Sequence, residues 1–182
     1  SKNIKISNSL INSNEFGWKC SDIIVDNSTI TSEYLFLESK KLEIHNLTLN
    51  GKYSFQYVNN VLIENSNLKT KDAFWHSNNV TVRNSIIEGE YLAWYSKNLT
   101  LENCKIIGTQ PFCYCDNLKL INCEMINTDL AFEYSTVDAT IKGDVLSIKN
   151  PKAGIIKLDS VKEIIKDNSI YSSTCQIIQK KG

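Results

Sequence analysis

The chain has 182 residues, enough for one domain with a sizeable core, and its 20 basic and 20 acidic side chains leave a formal net charge of zero. That balance excludes the basic stripe that nucleic acid requires, and Arg83, the only arginine, excludes a cluster for bidentate phosphate recognition. No apolar run approaches the ~20 residues of a membrane helix, so neither nucleic acid nor a membrane is an expected partner.

Read from the N-terminus, one pattern returns every 19 residues. Each unit begins with a strand. Its first inward column is Ile4, Ile23, Leu42, Val61, Val80, Leu99 and Leu118. Two residues on stand Ile6, Val25, Ile44, Ile63, Val82, Leu101 and Leu120, so apolar positions alternate at strand spacing. An asparagine follows: Asn8, Asn27, Asn46, Asn65, Asn84, Asn103 and Asn122. Asn tolerates left-handed backbone better than any residue except Gly, so this column predicts a corner. Equal positions stacked about 4.8 Å apart allow the side chains to bond in an amide ladder. A shorter column, Asn60, Asn79, Asn98 and Asn117, predicts another corner just before the first strand. After the main corner comes a Ser or Cys, with Leu47 the exception, and then the apolar column Ile11, Ile30, Leu49, Leu68, Ile87, Ile106 and Met125.

The third side of each unit is aromatic, as in "AFWHS", "LAWYS" and "PFCYC". Read as a strand, it alternates between faces. The column Lys19, Glu38, Tyr57, His76, Tyr95, Tyr114 and Glu133 then faces water. The Trp column, with Trp18, Trp75, Trp94 and also Phe132, points inward. By the same parity Phe36, Phe55, Phe74 and Phe112 point outward.

Fixed repetition means that each unit buries its apolar face against its neighbours. Nineteen residues are too few for a two-helix repeat, and the Leu-rich consensus of leucine-rich repeats is absent. The predicted fold is therefore all-β, a parallel β-solenoid with one coil per repeat. Residues 1–135 form seven regular coils, and residues 136–182 form irregular final coils and a C-terminal cap in the same domain. The opening "SKN" recurs at 96–98, so position 1 reads as the middle of a repeat, with coils expected upstream.

The stretches "DAFWHSNNVTV", "GEYLAWYSKNLTLENC", "PFCYCDNLKLINCEM", "LAFEYSTVDA" and "SIKNPKAG" resemble a bacterial family of uncharacterised proteins. That family is a domain of unknown function within the pectate-lyase-like superfamily of right-handed parallel β-helices. The resemblance implies right-handed winding and a cytoplasmic location. It carries no activity, cofactor or catalytic residue, and this chain resembles the family's C-terminal part.

Candidate sites follow from the columns. An outward strip of Phe55, Tyr57, Phe74, His76, Tyr95, Phe112 and Tyr114 would form a contiguous aromatic surface, which marks a binding site for carbohydrate or another protein. His76 could serve there as a base between Tyr57 and Tyr95. Arg83 lies between Glu64 and Glu102 at ladder spacing, which reads as a surface ion-pair ladder. Cys104 and Cys123 occupy equal positions on neighbouring coils, and the six cysteines match no zinc spacing, so no metal is expected. A rigid non-catalytic scaffold or binding module is the expected function. The alternative is a polysaccharide lyase or glycoside hydrolase, which needs paired carboxylates or a base with bound Ca²⁺. Self-association through the uncapped N-terminal end is a further expectation.

Overall fold

A computed structural model describes residues 1–180, and Lys181 and Gly182, the end of the expected cap, lie outside them. Among the described residues there is no α-helix, and hence no helix long and apolar enough to cross a membrane. The strands are β1 (Lys2–Ser7), β2 (Leu10–Glu15), β3 (Ser21–Glu33), β4 (Lys40–Lys52), β5 (Asn59–Glu64), β6 (Asn67–Lys71) and β7 (Asn78–Arg83). They continue with β8 (Ile86–Glu88), β9 (Lys97–Glu102), β10 (Lys105–Ile107), β11 (Leu118–Ile126), β12 (Thr136–Lys149), β13 (Ala153–Ile165) and β14 (Gln176–Gln179). All belong to one sheet, and the pairings are parallel. The result is a β-solenoid of about nine turns with coils about 19 residues apart.

The apolar columns become ladders. Ile4 pairs with Ile23, Ile23 with Leu42, Leu42 with Val61, Val61 with Val80, and Val80 with Leu99. On the second strand Leu49 pairs with Leu68, Leu68 with Ile87, Ile87 with Ile106, and Ile106 with Met125. These columns fill one continuous core, because each coil can bury its inward side chains only on the coils above and below.

Both asparagine columns lie at left-handed corners. Asn8, Asn27, Asn46, Asn65, Asn84, Asn103 and Asn122 have φ between 48° and 54°. Asn60, Asn79, Asn98 and Asn117 have φ between 54° and 58°. Side-chain amides bond along the axis: Asn46 Nδ2 donates to Asn27 Oδ1 at 2.8 Å, and Asn122 to Asn103 at 2.7 Å. In the second column Asn117 donates to Asn98 at 2.7 Å. The Ser that follows the main corner is buried and lends its hydroxyl to the neighbouring coil. The Leu47 N–H donates to Ser66 Oγ at 3.1 Å, and the Ser66 N–H to Ser85 Oγ at 3.0 Å.

The aromatic side corrects the strand reading. It is a run of turns in which left-handed residues alternate with others: Asp72, Phe74 and His76 have φ of 52°, 63° and 54°. Side chains on such a backbone do not alternate between faces as they do on an extended strand. Two consecutive residues, Ala73 and Phe74, both point inward, then Trp75 and His76 outward, then Ser77 inward. Phe55, Phe74 and Phe112, expected on the surface, are buried to 0–1% exposure, with Phe55 and Phe74 stacked at 5.0 Å. The tryptophans, expected inside, lie half-exposed. Their indoles cap carbonyls one coil along: Trp75 Nε1 donates to Tyr91 O at 2.6 Å and Trp94 Nε1 to Gln110 O at 2.8 Å.

Phe132 is also reassigned. The Cys115 N–H donates to Ser135 Oγ, 20 rather than 19 positions on, so one extra residue enters this coil. Phe132 then falls in the buried Phe column, stacked on Phe112 at 5.7 Å, and Tyr134 joins the outer column. Beyond Ser135 winding continues with altered spacing: Thr136 pairs with Ala153, and Ile155 with Gln176.

Candidate functional site

The outer column of the aromatic turns forms one ladder of rings. Tyr57 and His76 stack at 4.8 Å, His76 and Tyr95 at 5.0 Å, and Tyr95 and Tyr114 at 4.8 Å, with interplanar angles of 3–13°. Tyr134 extends the file at 5.9 Å from Tyr114. The coil-to-coil hydrogen bonds fix this spacing: the Tyr57 N–H donates to Trp75 O and the His76 N–H to Trp94 O. Tyr57 is 53% exposed and Tyr95 46%. Trp75 and Trp94 stack beside the ladder at 5.2 Å, and Trp94 meets Tyr114 edge-on.

Of the seven residues expected in the strip, the fold brings Tyr57, His76, Tyr95 and Tyr114 together on the surface and sets Phe55, Phe74 and Phe112 beneath them. Tyr134 joins through a one-residue insertion that fixed-period counting cannot register.

This stacking limits the chemistry. The ring faces are consumed by one another, so the surface presents ring edges and phenol hydroxyls. His76 has aromatic rings on both sides. Glu38, one rung below Tyr57, pairs with Lys19 at 3.7 Å. At the far end Tyr114 donates its hydroxyl to Glu133 at 3.2 Å. Burial, then the Glu133 carboxylate, pushes that phenol up to about 12. Glu133 also pairs with Lys149 at 2.9 Å. The C-terminal segment covers only the last rung. Tyr171 packs edge-on against Tyr134 at 5.2 Å, with the Lys152 ammonium 4.5 Å from the Tyr171 ring centre.

Other singled-out residues have structural surroundings. Arg83 Nε sits 3.2 Å from Glu102 and its Nη1 4.0 Å from Glu64, an exposed ion-pair ladder worth at most about 1 kcal/mol. All six cysteines are free and buried. Cys104 and Cys123 occupy equal positions on neighbouring coils, and the interaction between the two thiols holds Cys104 low and Cys123 high, while each donates to backbone carbonyls, Cys104 to Val82 O and Cys123 to Leu101 O. Burial pushes the Cys113 thiol up to about 12 and Cys115 to about 11. Among the described residues no cluster of three His, Cys, Asp or Glu side chains is placed to hold a metal.

A second surface feature went unread in the sequence. A groove of about 740 Å³ runs along the first strand of the early coils. It is lined by two columns of the same strands, Asp22, Lys41 and Asn60 in one and Ile24, Glu43 and Leu62 in the other. Its only sequence signal is that Ile24 and Leu62 occupy the outward position of an otherwise polar column, and Ile24 is 41% exposed.

Comparison with known proteins gives one family. Residues 1–178 match the model of a protein of unknown function (DUF3737). No curated protein and no solved structure matches the chain. Since the match spans nearly all of the repeats and the final coils, the chain belongs to the DUF3737 family.

Proposed function

We propose that this chain is a rigid, non-catalytic scaffold that docks another protein through its outer aromatic ladder. The observation that carries this reading is the ring-on-ring stacking of Tyr57, His76, Tyr95 and Tyr114. Sugars bind aromatic rings on their faces, and here those faces are already occupied. The exposed edges and hydroxyls suit a protein surface, where tyrosine supplies rigid, amphipathic contact. Each ring is locked by its neighbours, so docking costs little side-chain entropy. We take the winding as right-handed, the hand that crossovers between parallel strands of one sheet overwhelmingly adopt, and keep the pectate-lyase-like superfamily as its place. Six buried free thiols support a reducing compartment such as the cytoplasm.

A second reading, a carbohydrate-active enzyme, draws on the groove, which Asp22, Lys41 and Glu43 all line, with Lys41 3.9 Å from Asp22. Two measurements separate the readings. Tyrosine footprinting is compared between cells and the purified dilute chain, and the purified chain is assayed for turnover of a polysaccharide panel. Protection of Tyr57 and Tyr95 in cells, with no product from any polysaccharide, is the expected result. Equal labelling in both settings, or product formation lost in Asp22→Asn or Glu43→Gln, overturns the scaffold reading.

A further inference from the structure

The indoles and phenols of the aromatic side converge on one ring. Trp75 and Trp94 lie face to face at 5.2 Å with an interplanar angle of 1°. Trp94 meets Tyr114 edge-on at 5.6 Å and Tyr91 at 5.4 Å. Tyr95 stacks on Tyr114 at 4.8 Å. Trp75, Trp94, Tyr91 and Tyr95 thus all reach Tyr114 in at most two ring-to-ring steps.

Tyr114 is also the ring with a base at hand. Its hydroxyl donates to Glu133 at 3.2 Å, within reach for proton transfer, and Lys149, 2.9 Å from Glu133, holds that carboxylate in place. Among the described residues no other tyrosine hydroxyl donates to a carboxylate: that of Tyr134 faces the Asn168 carbonyl at 3.4 Å. The indole N–H groups of Trp75 and Trp94 go to carbonyls, at 2.6 Å to Tyr91 O and 2.8 Å to Gln110 O. A carbonyl accepts a hydrogen bond but is too weak a base to take the proton.

We infer that these rings carry one-electron oxidation through the protein, and that it comes to rest on Tyr114, independently of any docking partner. The oxidant is a small one-electron acceptor such as a peroxide-derived radical. It takes one electron from a half-exposed indole, Trp75 or Trp94, and is itself reduced. Tunnelling falls off exponentially with distance, so rings in contact exchange the vacancy readily. An electron from Tyr114 then refills the indole. A phenol that has lost an electron is a strong acid, so the O–H proton leaves with the electron and crosses the existing hydrogen bond to a Glu133 oxygen. The products are a neutral Tyr114 phenoxyl radical, a neutral Glu133 carboxyl and a restored indole. Burial, then the Glu133 carboxylate, holds the phenol up to about 12, so Tyr114 keeps its proton until the electron leaves.

The step reverses by the same route. Protonation of Glu133 leaves Lys149 without its partner charge, so the proton returns to Tyr114 once a small reductant such as ascorbate supplies an electron. Tyr95, 46% exposed and stacked on Tyr114, gives that electron an entry from solvent. His76 separates Tyr57 from Tyr95, and an imidazole is harder to oxidise than a phenol, so Tyr57 stands off the chain. The Cys113 thiol, 2% exposed, lies 3.6 Å from Gln110 O and 3.8 Å from Leu130 O; with only carbonyls as acceptors it stays reduced.

Flash photolysis of the full chain, with tris(bipyridyl)ruthenium and a cobalt(III) electron acceptor as the oxidant, tests this. Absorption should show a tryptophan radical that decays as a tyrosyl radical rises, and freeze-quenched paramagnetic resonance should show one dominant tyrosyl species. The rise should slow in heavy water, because proton and electron move together; this arm needs no variant. Tyr114→Phe should abolish the dominant tyrosyl signal and prolong the tryptophan radical several-fold. Glu133→Gln should slow the tyrosyl rise several-fold, and Tyr57→Phe should leave it unchanged. A tyrosyl signal that survives Tyr114→Phe overturns the inference, and so does a rise equally fast in heavy water or in Glu133→Gln.

Discussion

Phe74 and Tyr95 belong to the same aromatic side yet should respond oppositely to truncation. Phe74 is 1% exposed and stacked on Phe55 at 5.0 Å. Phe74→Ala should cost about 3–5 kcal/mol, the range for a buried Phe, read from the urea midpoint. Tyr95→Ala removes a ring that solvent already reaches and should cost about 1 kcal/mol, the scale of one aromatic pair. Equal losses would show that the turn geometry is wrong. Asp72 makes a different point. Its Oδ1 is buried without a hydrogen-bond partner in the described structure, and burial raises its carboxyl, with Glu90 adding to and Lys71 opposing the rise. A carboxyl raised in the fold favours the folded state when protonated and disfavours it once ionised. Asp72→Asn should therefore stabilise the chain at neutral pH by less than about 1 kcal/mol, since solvent screens this partly exposed group. The gain should vanish as pH falls below the ordinary value of 3.8, where the native carboxyl is itself neutral. Urea midpoints of both proteins at neutral and acid pH check it. Asn serves as well as Asp in the left-handed backbone at 72.

The corner is the element that repeats most faithfully, and its two contributions can be separated. Asn103 accepts from Asn122 at 2.7 Å and has φ of 52°. Asn103→Gly removes the amide rung but suits the left-handed backbone, and should cost about 1 kcal/mol. Asn103→Ala loses the rung and adds a left-handed penalty of about 1–2 kcal/mol. If Gly costs as much as Ala, the corner is held by the amide ladder alone. Corners and inward columns were legible in the amino-acid order because both are local: a strand pair and a left-handed Asn impose their period directly. The aromatic side was legible only in part: the outward column of Tyr57, His76 and Tyr95 was read, but the Phe and Trp columns were reversed. Its parity depends on whether the backbone between two corners is extended, and residues such as Asp72, Phe74 and His76 carry no mark of the left-handed conformation they adopt. Tyr134 was missed for a related reason, since one inserted residue moves the aromatic turn of its coil by one place before the register returns to 19 at Leu118 and Val137.

Stability of the whole rod is the sum of coils and their interfaces, so coils should be removable in register. Excising residues 78–96 deletes 19 residues, one coil, and joins Ser77 to Lys97 as Ser96 is joined natively. This variant should fold with parallel β-structure and a lower Tm. Deleting one residue more should abolish cooperative unfolding, because every later strand flips its faces. Circular dichroism melts compare the two. The rod should also fail in alkali. Burial holds Cys113 and Cys115 protonated up to about 12 and 11, whereas an unfolded thiol ionises near 9.0. The unfolded chain thus releases these protons first, so stability is full below about pH 9 and falls as pH rises toward 12. The loss should be on the order of 3 kcal/mol for each thiol, and Cys115→Ser should flatten the decline in denaturant midpoint.

Period, strand columns and asparagine corners follow from residue order alone, because in a solenoid each position meets its own equivalent one coil away. The groove of about 740 Å³, the inward Phe column and the face-to-face stacking of the outer rings were decided only by folding. They depend on the angle at each corner and on the hand of the backbone between corners, and stacking across coils, not any one repeat, selects both.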